Sequence, residues 1–253
     1  MANICAVIAA AGRGSRAGLP YPKTLYAIQG VPILLRIAKL LIPYDNTPTI
    51  VASPAGEPLI RACMQEANAS AHVVVQPTPA GMGDAVLCIR QSAGFERAEH
   101  ILLIWGDIPF VQAQTLALLV EAHLQNQNDF TFVTRHVDSA YTTVLRDQSG
   151  DVVSVLETRE TGIDKPQAGE RDIGVFIFRK ELVLDYLQRD FPNKWGKTTG
   201  EHGFLYIIGA LVSDGYRVEA LPIATELDLV SLNHLDDVKA YLYAKDESTC
   251  VVL

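Results

Sequence analysis

The chain has 253 residues, 49% hydrophobic and 20% charged, which is enough apolar material to bury a sizeable core without help from disulfides or metal. Its 21 Lys and Arg against 29 Asp and Glu leave a net charge of −8, which argues against nucleic-acid binding as the main task, because phosphate backbones are repelled at long range. The four cysteines, Cys5, Cys63, Cys88 and Cys250, show neither CxxC nor Cys/His metal spacing, the usage expected of a reducing cytoplasmic compartment.

In chain order, short β-branched runs at residues 4–9, 49–52, 72–76, 101–105 and 130–137 predict strands. The first has no basic start and runs into a Gly/Arg turn, so it reads as a buried strand rather than a signal core. Helix-period stretches at 32–41, 57–68, 83–92 and 113–126 lie between them, the βαβ alternation of an α/β fold with a mixed, mostly parallel central sheet. In the last of these, His123 shares the apolar stripe of Leu116, Leu119 and Val120 and reads as structural. After residue 138 the alternation loosens into strands at 141–145, 152–156 and 173–178, which can add antiparallel pairing. Polar loops at 157–172 and 193–203 are of the kind that borders a ligand cleft. The longest apolar run, 31–43, is cut by Arg36 and Lys39 and is too short to span a bilayer. One domain is expected over residues 1–245, with a tail at 246–253.

The strongest local signal follows the first strand: Ala10-Ala11-Gly12-Arg13-Gly14-Ser15-Arg16, then Ala17-Gly18-Leu19-Pro20-Tyr21-Pro22-Lys23. Gly12 and Gly14 let backbone N–H groups approach an anion, while Arg16 and Lys23 add charge for phosphate oxygens. Gly12, Gly14 and Ala17 also fit the dinucleotide pattern G-x-G-x-x-A. Pro20 and Pro22 oppose the long helix that pattern opens, however, and the second strand ends Ala52-Ser53-Pro54 without a ribose-binding acid. No Gly-Lys-Ser/Thr follows to make a Walker A loop. Asp107 leaves the carboxyl end of the very apolar strand 101–105, the place where α/β proteins put metal ligands and catalytic groups; a turn or cap aspartate is the bland alternative.

The stretch from Ala10 to Lys23, continued by Gly30-Val31-Pro32-Ile33-Leu34, resembles the signature of the sugar-1-phosphate nucleotidyltransferases. It is most similar to the uridylyltransferase domain that makes UDP-N-acetylglucosamine, without the β-helix acyltransferase that often follows it. Further motifs carry the resemblance in the same order: Gln76 with Ala80-Gly81-Met82-Gly83-Asp84-Ala85, Trp105-Gly106-Asp107-Ile108-Pro109, Glu157, Asp172-Ile173-Gly174 and Leu232-Asn233. The resemblance implies a Rossmann-like, GT-A-like nucleotidyltransferase fold and Mg²⁺-dependent attack of a sugar 1-phosphate on the α-phosphorus of an NTP, releasing pyrophosphate. It implies Arg16 and Lys23 as catalytic cations, with Ala10, Ala11, Gly12, Gly14, Ser15, Gln76 and Gly81 around the nucleotide. Gly106, Glu157 and Asp172 would face the sugar, and Asp107 and Asn233 would hold the metal. The family often has Asn where Asp172 stands and a small residue near Thr142, so the nucleotide half of the pattern, favouring UTP, is better kept than the acceptor half, where N-acetylglucosamine 1-phosphate is the candidate.

The chain ends Cys250-Val251-Val252-Leu253, a C-a-a-X box of the geranylgeranyl type, preceded by a segment that is not polybasic. It reads either as peripheral membrane anchoring through a prenylated Cys250 in a eukaryotic or host cytosol, or as an apolar chain end. Two other functions stay open at this point: cytidylyl or guanylyl transfer to another phosphorylated acceptor, and a catalytically inactive, membrane-targeted nucleotide-binding protein. The sequence leaves the oligomeric state undecided.

Overall fold

Strands whose side chains are apolar on both faces must be covered on both faces. In this computed structural model, which describes residues 3–12, 17–161, 167–232 and 235–236, the first half reads β1 (Ile4–Ala10), β2 (Ala27–Ile28), β3 (Val31–Pro32), α1 (Ile33–Leu41), β4 (Thr49–Ala52), α2 (Glu57–Glu66), β5 (His72–Val75), α3 (Met82–Cys88), β6 (His100–Trp105) and α4 (Ala113–Gln125). The second half adds β7 (Phe130–Val137), β8 (Thr142–Arg146), β9 (Val152–Glu157), α5 (Thr158–Thr161), β10 (Gly169–Arg179), α6 (Lys180–Gln188), α7 (Ile207–Ser213) and β11 (Val218–Leu221). Seven strands form the central sheet in the order β11-β7-β10-β6-β1-β4-β5. Strands β5, β4, β1 and β6 are parallel neighbours, β10 runs antiparallel to both β6 and β7, and β11 is parallel to β7. Both halves of the sequence expectation hold: a mixed, mostly parallel sheet, and antiparallel pairing after residue 138.

Period-2 alternation within the strands divides the core. Ile8, Leu102, Ile104, Val175 and Ile177 pack with Ile33, Leu34, Ile37 and Leu116 on one face. On the other, Val7, Ile101 and Leu103 meet five phenylalanines: Phe130, Phe132, Phe176, Phe178 and Phe204. Phe204 sits 5.3 Å from Phe176, edge to face, and 5.8 Å from Phe178. It therefore pins the loop that carries residues 191–206 to the sheet. Five features among these elements are not predicted from periodicity. The β2–β3 hairpin turns through Gln29 and Gly30, both at positive φ (51° and 77°), the backbone that favours glycine in two-residue hairpins. The others are α5, inside the expected 157–172 loop, α6, α7 and the edge strand β11.

His123 is fully buried, its Nδ1 2.9 Å from Thr131 Oγ1 and its Nε2 3.0 Å from His100 Nδ1. Burial above all, reinforced by His100, lowers its pKa to about 3. A base whose folded pKa is depressed binds its proton in the unfolded chain first, so its contribution is complete above about pH 6.5 and is lost as pH falls. Urea titrations should show stability declining by about 1.4 kcal/mol per pH unit through this group below pH 6.5, with a slope one proton shallower in His123→Gln. Equal slopes would remove the buried imidazole from the account.

Candidate functional site

A cleft of about 1970 Å³ opens at the carboxyl ends of the parallel strands. The chain leaves β1 for β4 and β5 on one side and returns to β6 on the other, so the cleft lies at the switch point where such sheets bind ligands. Ala9, Ala10, Ala11 and Gly12 line it from β1, and Trp105, Gly106 and Asp107 from β6. The two strand ends touch: Gly106 N–H donates to Ala9 O at 2.9 Å. A Cβ on Gly106 would lie 2.8 Å from that oxygen and 3.4 Å from Ala10 Cα, so the close approach requires glycine.

The next residue, Asp107, is acidic and paired. Asp107 Oδ2 accepts a hydrogen bond from Lys23 Nζ at 2.5 Å, both side chains about one-fifth exposed. Lys23 opens the short 3-10 turn Lys23–Leu25, which replaces the long helix a dinucleotide-binding turn would need. Its Cε lies 3.8 Å from where a Gly12 Cβ would stand. Asp107's backbone is fixed by Leu232 N–H, which donates to Asp107 O at 2.8 Å. Asp107 offers the hard carboxylate oxygen that Mg²⁺ takes, and behind Gly106 the buried Thr24 Oγ1 has no hydrogen-bond partner, 3.3 Å from a Cβ placed on Gly106. Among the described residues no group of three or more His, Cys, Asp or Glu could form a protein-only cage.

At the third strand's end, Gln76 is 3% exposed and lines the cleft. Its Nε2 donates to Gly81 O at 3.0 Å and to Asp84 Oδ2 at 2.9 Å. Two acceptors fix the amide's orientation, with Nε2 toward Gly81 and Asp84. Gly81 has φ +110°, and a Cβ there would strike the backbone of His202. His202 N–H donates to Ala80 O at 2.6 Å and Gly83 N–H donates to His202 O at 3.0 Å, so the 191–206 loop and the Gly81 loop form one wall.

The far wall is built by β8, β9 and β10. Glu157, Thr142 and Asp172 line it. Asp172 comes to the cleft already bonded: Oδ1 accepts from Thr142 Oγ1 at 2.5 Å and Oδ2 from Gly174 N–H at 3.0 Å. Burial pushes its carboxyl above the usual carboxylate range, opposed by those two donors. The hairpin β8–β9 is clamped to the sheet by Arg146, which holds buried Glu170 through Nε and Nη2, each at 2.7 Å, while Thr134 Oγ1 donates to the same carboxylate. Sequence reasoning named Ala10, Ala11, Gly12, Lys23, Gln76, Gly81, Gly106, Asp107, Glu157 and Asp172, and one cleft gathers them all. Gly14, Ser15, Arg16, Asn233, Cys250 and the tail at 246–253 lie outside the described residues. Trp195 and His202 line the cleft from the 193–203 loop expected at its border, whereas cleft-lining Thr24 and the roles of Thr142 and Glu170 have no signal in the sequence, since no motif marks them.

Residues 6–171, more than half of the chain, match the MobA-like NTP transferase domain. The chain belongs to the MobA-like NTP transferase family. It is a nucleotidyltransferase. Similar proteins include the bifunctional protein GlmU of Enterococcus faecalis, 26% identical over 235 residues, and that of Pseudomonas paraeruginosa, 28% identical over 231 residues. These alignments cover 92% and 91% of this chain but 50% and 48% of those proteins, so the chain spans about half the length of the curated relatives it matches. Among solved structures, a protein described as a glucose-1-phosphate thymidylyltransferase from Bacillus anthracis superposes with TM-score 0.74 at 16% identity, covering 94% of this chain and 93% of that one. The inositol-1-phosphate CTP transferase of T. maritima gives 0.65 at 18% identity, covering 87% and 85%. Both share the fold. No helix among the described residues is long and apolar enough to cross a membrane.

The far wall depends on Gly174, which sits at a bulge in β10 with φ +81° and leaves room for the Trp105 ring 2.6 Å from where its Cβ would be. Gly174→Ala is expected to lower stability by about 2–3 kcal/mol in urea denaturation, through left-handed backbone strain plus overpacking, and to shift Trp emission. An unchanged midpoint and spectrum would contradict the packing described.

Proposed function

We propose that the protein transfers a uridylyl group from UTP to a sugar 1-phosphate and releases pyrophosphate, with N-acetylglucosamine 1-phosphate the first acceptor to test. The observation that carries this reading is the Lys23–Asp107 pair at the junction of the glycine turn and the carboxyl end of β6. A phosphate monoester oxygen is already ionised at neutral pH, so the attack on the α-phosphorus needs no general base. A bond forms from that oxygen to the α-phosphorus, the bond to the bridging oxygen breaks, and the electron pair leaves on pyrophosphate.

The protein's part is then positioning and charge. Backbone at Ala10, Ala11 and Gly12 faces the triphosphate, and Lys23 reaches the phosphate charge that grows in the transition state. Bound at Asp107, Mg²⁺ would supply further charge neutralisation of the phosphates. Arg16, Gly14, Ser15 and Asn233 are assigned the roles the resemblance implies. Gln76 offers Oε1 to a base edge, which suits the N3–H donor of uracil. Gly106, Glu157 and Asp172 border the acceptor end, where carboxylates accept hydroxyl hydrogen bonds. The relatives named GlmU support UTP and an amino-sugar phosphate; the thymidylyl and CTP transferases among the structural neighbours make other bases part of the same test.

The test is pyrophosphate release from UTP, CTP, GTP, ATP and dTTP against a panel of sugar 1-phosphates. UTP should give the highest kcat/KM, and Asp107→Ala and Lys23→Ala should each lower kcat by roughly 100-fold or more. No release with any nucleotide and acceptor would overturn the proposal; faster turnover with another base would move it to that nucleotide.

A further inference from the structure

The Lys23–Asp107 contact puts an ammonium 2.5 Å from the oxygen expected to hold a divalent cation. Asp107 stands on backbone held at both ends, by Gly106 N–H to Ala9 O at 2.9 Å and Leu232 N–H to Asp107 O at 2.8 Å. Lys23 instead sits on a one-turn 3-10 segment, and its four-carbon stem is flexible. The stem passes beside Gly12, its Cε 3.8 Å from the position of the absent Cβ, so a small swing carries Nζ from Asp107 to an anion against the glycine turn. Asn233, the second ligand the resemblance implies, lies outside the described residues, and a carboxylate with one amide oxygen leaves most of a Mg²⁺ shell to water or phosphate, so the ion is held weakly without nucleotide.

Resting on the transfer reading of this cleft, we infer that Lys23 is the resident counter-ion of Asp107 until nucleotide arrives, so that the divalent cation and the NTP enter as one unit. Without nucleotide, the ammonium neutralises the carboxylate and keeps a second cation off it by like-charge repulsion. The triphosphate offers Lys23 a stronger anionic partner, the ion pair exchanges, and Asp107 becomes available to a metal only when phosphate oxygens are present to complete its coordination. The exchange breaks and makes ion pairs alone; no proton and no covalent bond is moved.

The experiment titrates the nucleotide-free protein with Mn²⁺ and counts bound ion by electron paramagnetic resonance. Lys23→Met removes the charge at similar volume and should bind Mn²⁺ at least about tenfold more tightly than wild type, since a unit charge at this range is worth more than a factor of ten even at high effective dielectric. Lys23→Arg keeps the charge and should stay near wild type, and the double variant Lys23→Met/Asp107→Asn should lose the gain. Equal Mn²⁺ affinity in wild type and Lys23→Met, or a gain that survives Asp107→Asn, would overturn the inference. A second measurement does not depend on the Lys23 variants folding: acetylation of Lys23 by acetic anhydride, followed by mass spectrometry, should run several-fold faster in Asp107→Asn than in wild type, and equal rates would contradict the ion pair. Neither assay contains nucleotide or acceptor, so their failure leaves uridylyl transfer standing, and a failed transfer assay leaves their outcome intact.

Discussion

The backbone contact between Ala9 and Gly106 sets the geometry of the cleft where Lys23 meets Asp107. It forces the ends of β1 and β6 together, so the residues that follow each strand, the glycine turn on one side and Asp107 on the other, share one small volume. A side chain at position 106 would separate them by steric overlap with Ala9 O. Lys23 then neutralises a carboxylate that the fold places in a partly desolvated cleft, and it is the one salt-bridge partner Asp107 has among the described residues.

Rigidity on the other side of the cleft comes from the core. The five-phenylalanine cluster places Phe204 against Phe176 and Phe178, which holds Glu201 to Gly203 against the Gly81 loop. The Arg146–Glu170 clamp ties the β8–β9 hairpin to β10 and β7, and thereby fixes Thr142 beside Asp172. Catalysis by positioning needs both walls held by packing rather than by the ligand. The buried carboxylates show two solutions to the same problem: Glu170 receives a bidentate guanidinium and falls below the usual range despite burial, while Asp172 receives two neutral donors and rises above it.

The parallel half of the sheet was legible because its strands are buried on both faces and leave continuous apolar runs, as in Ile101 to Ile104. The cleft's glycine-turn side was legible too, because Gly81 and Gly106 mark close backbone approach and Asp107 directly follows a strand. What the sequence hid depends on contacts between distant segments. Thr142 meets Asp172 across 30 positions, Arg146 meets Glu170 across 24, and Lys23 meets Asp107 across 84. No local pattern records such pairings. The strand β11 escaped because Val218-Glu219-Ala220-Leu221 has neither the β-branched run of the equally short β4 and β5 nor a period-2 alternation, and α6 because it follows β10 without a turn residue.

The central claim is that the glycine turn holds a triphosphate next to Asp107 and Lys23. A crystal structure with the α,β-methylene analogue of UTP and Mn²⁺ tests it most directly, through the anomalous signal of the ion. The account predicts phosphates along Ala10 to Gly12, an anomalous peak in coordination range of the Asp107 carboxylate, and Lys23 Nζ turned onto phosphate oxygen. Nucleotide bound elsewhere, or a cleft without it at saturating concentration and Lys23 still on Asp107, would contradict the account.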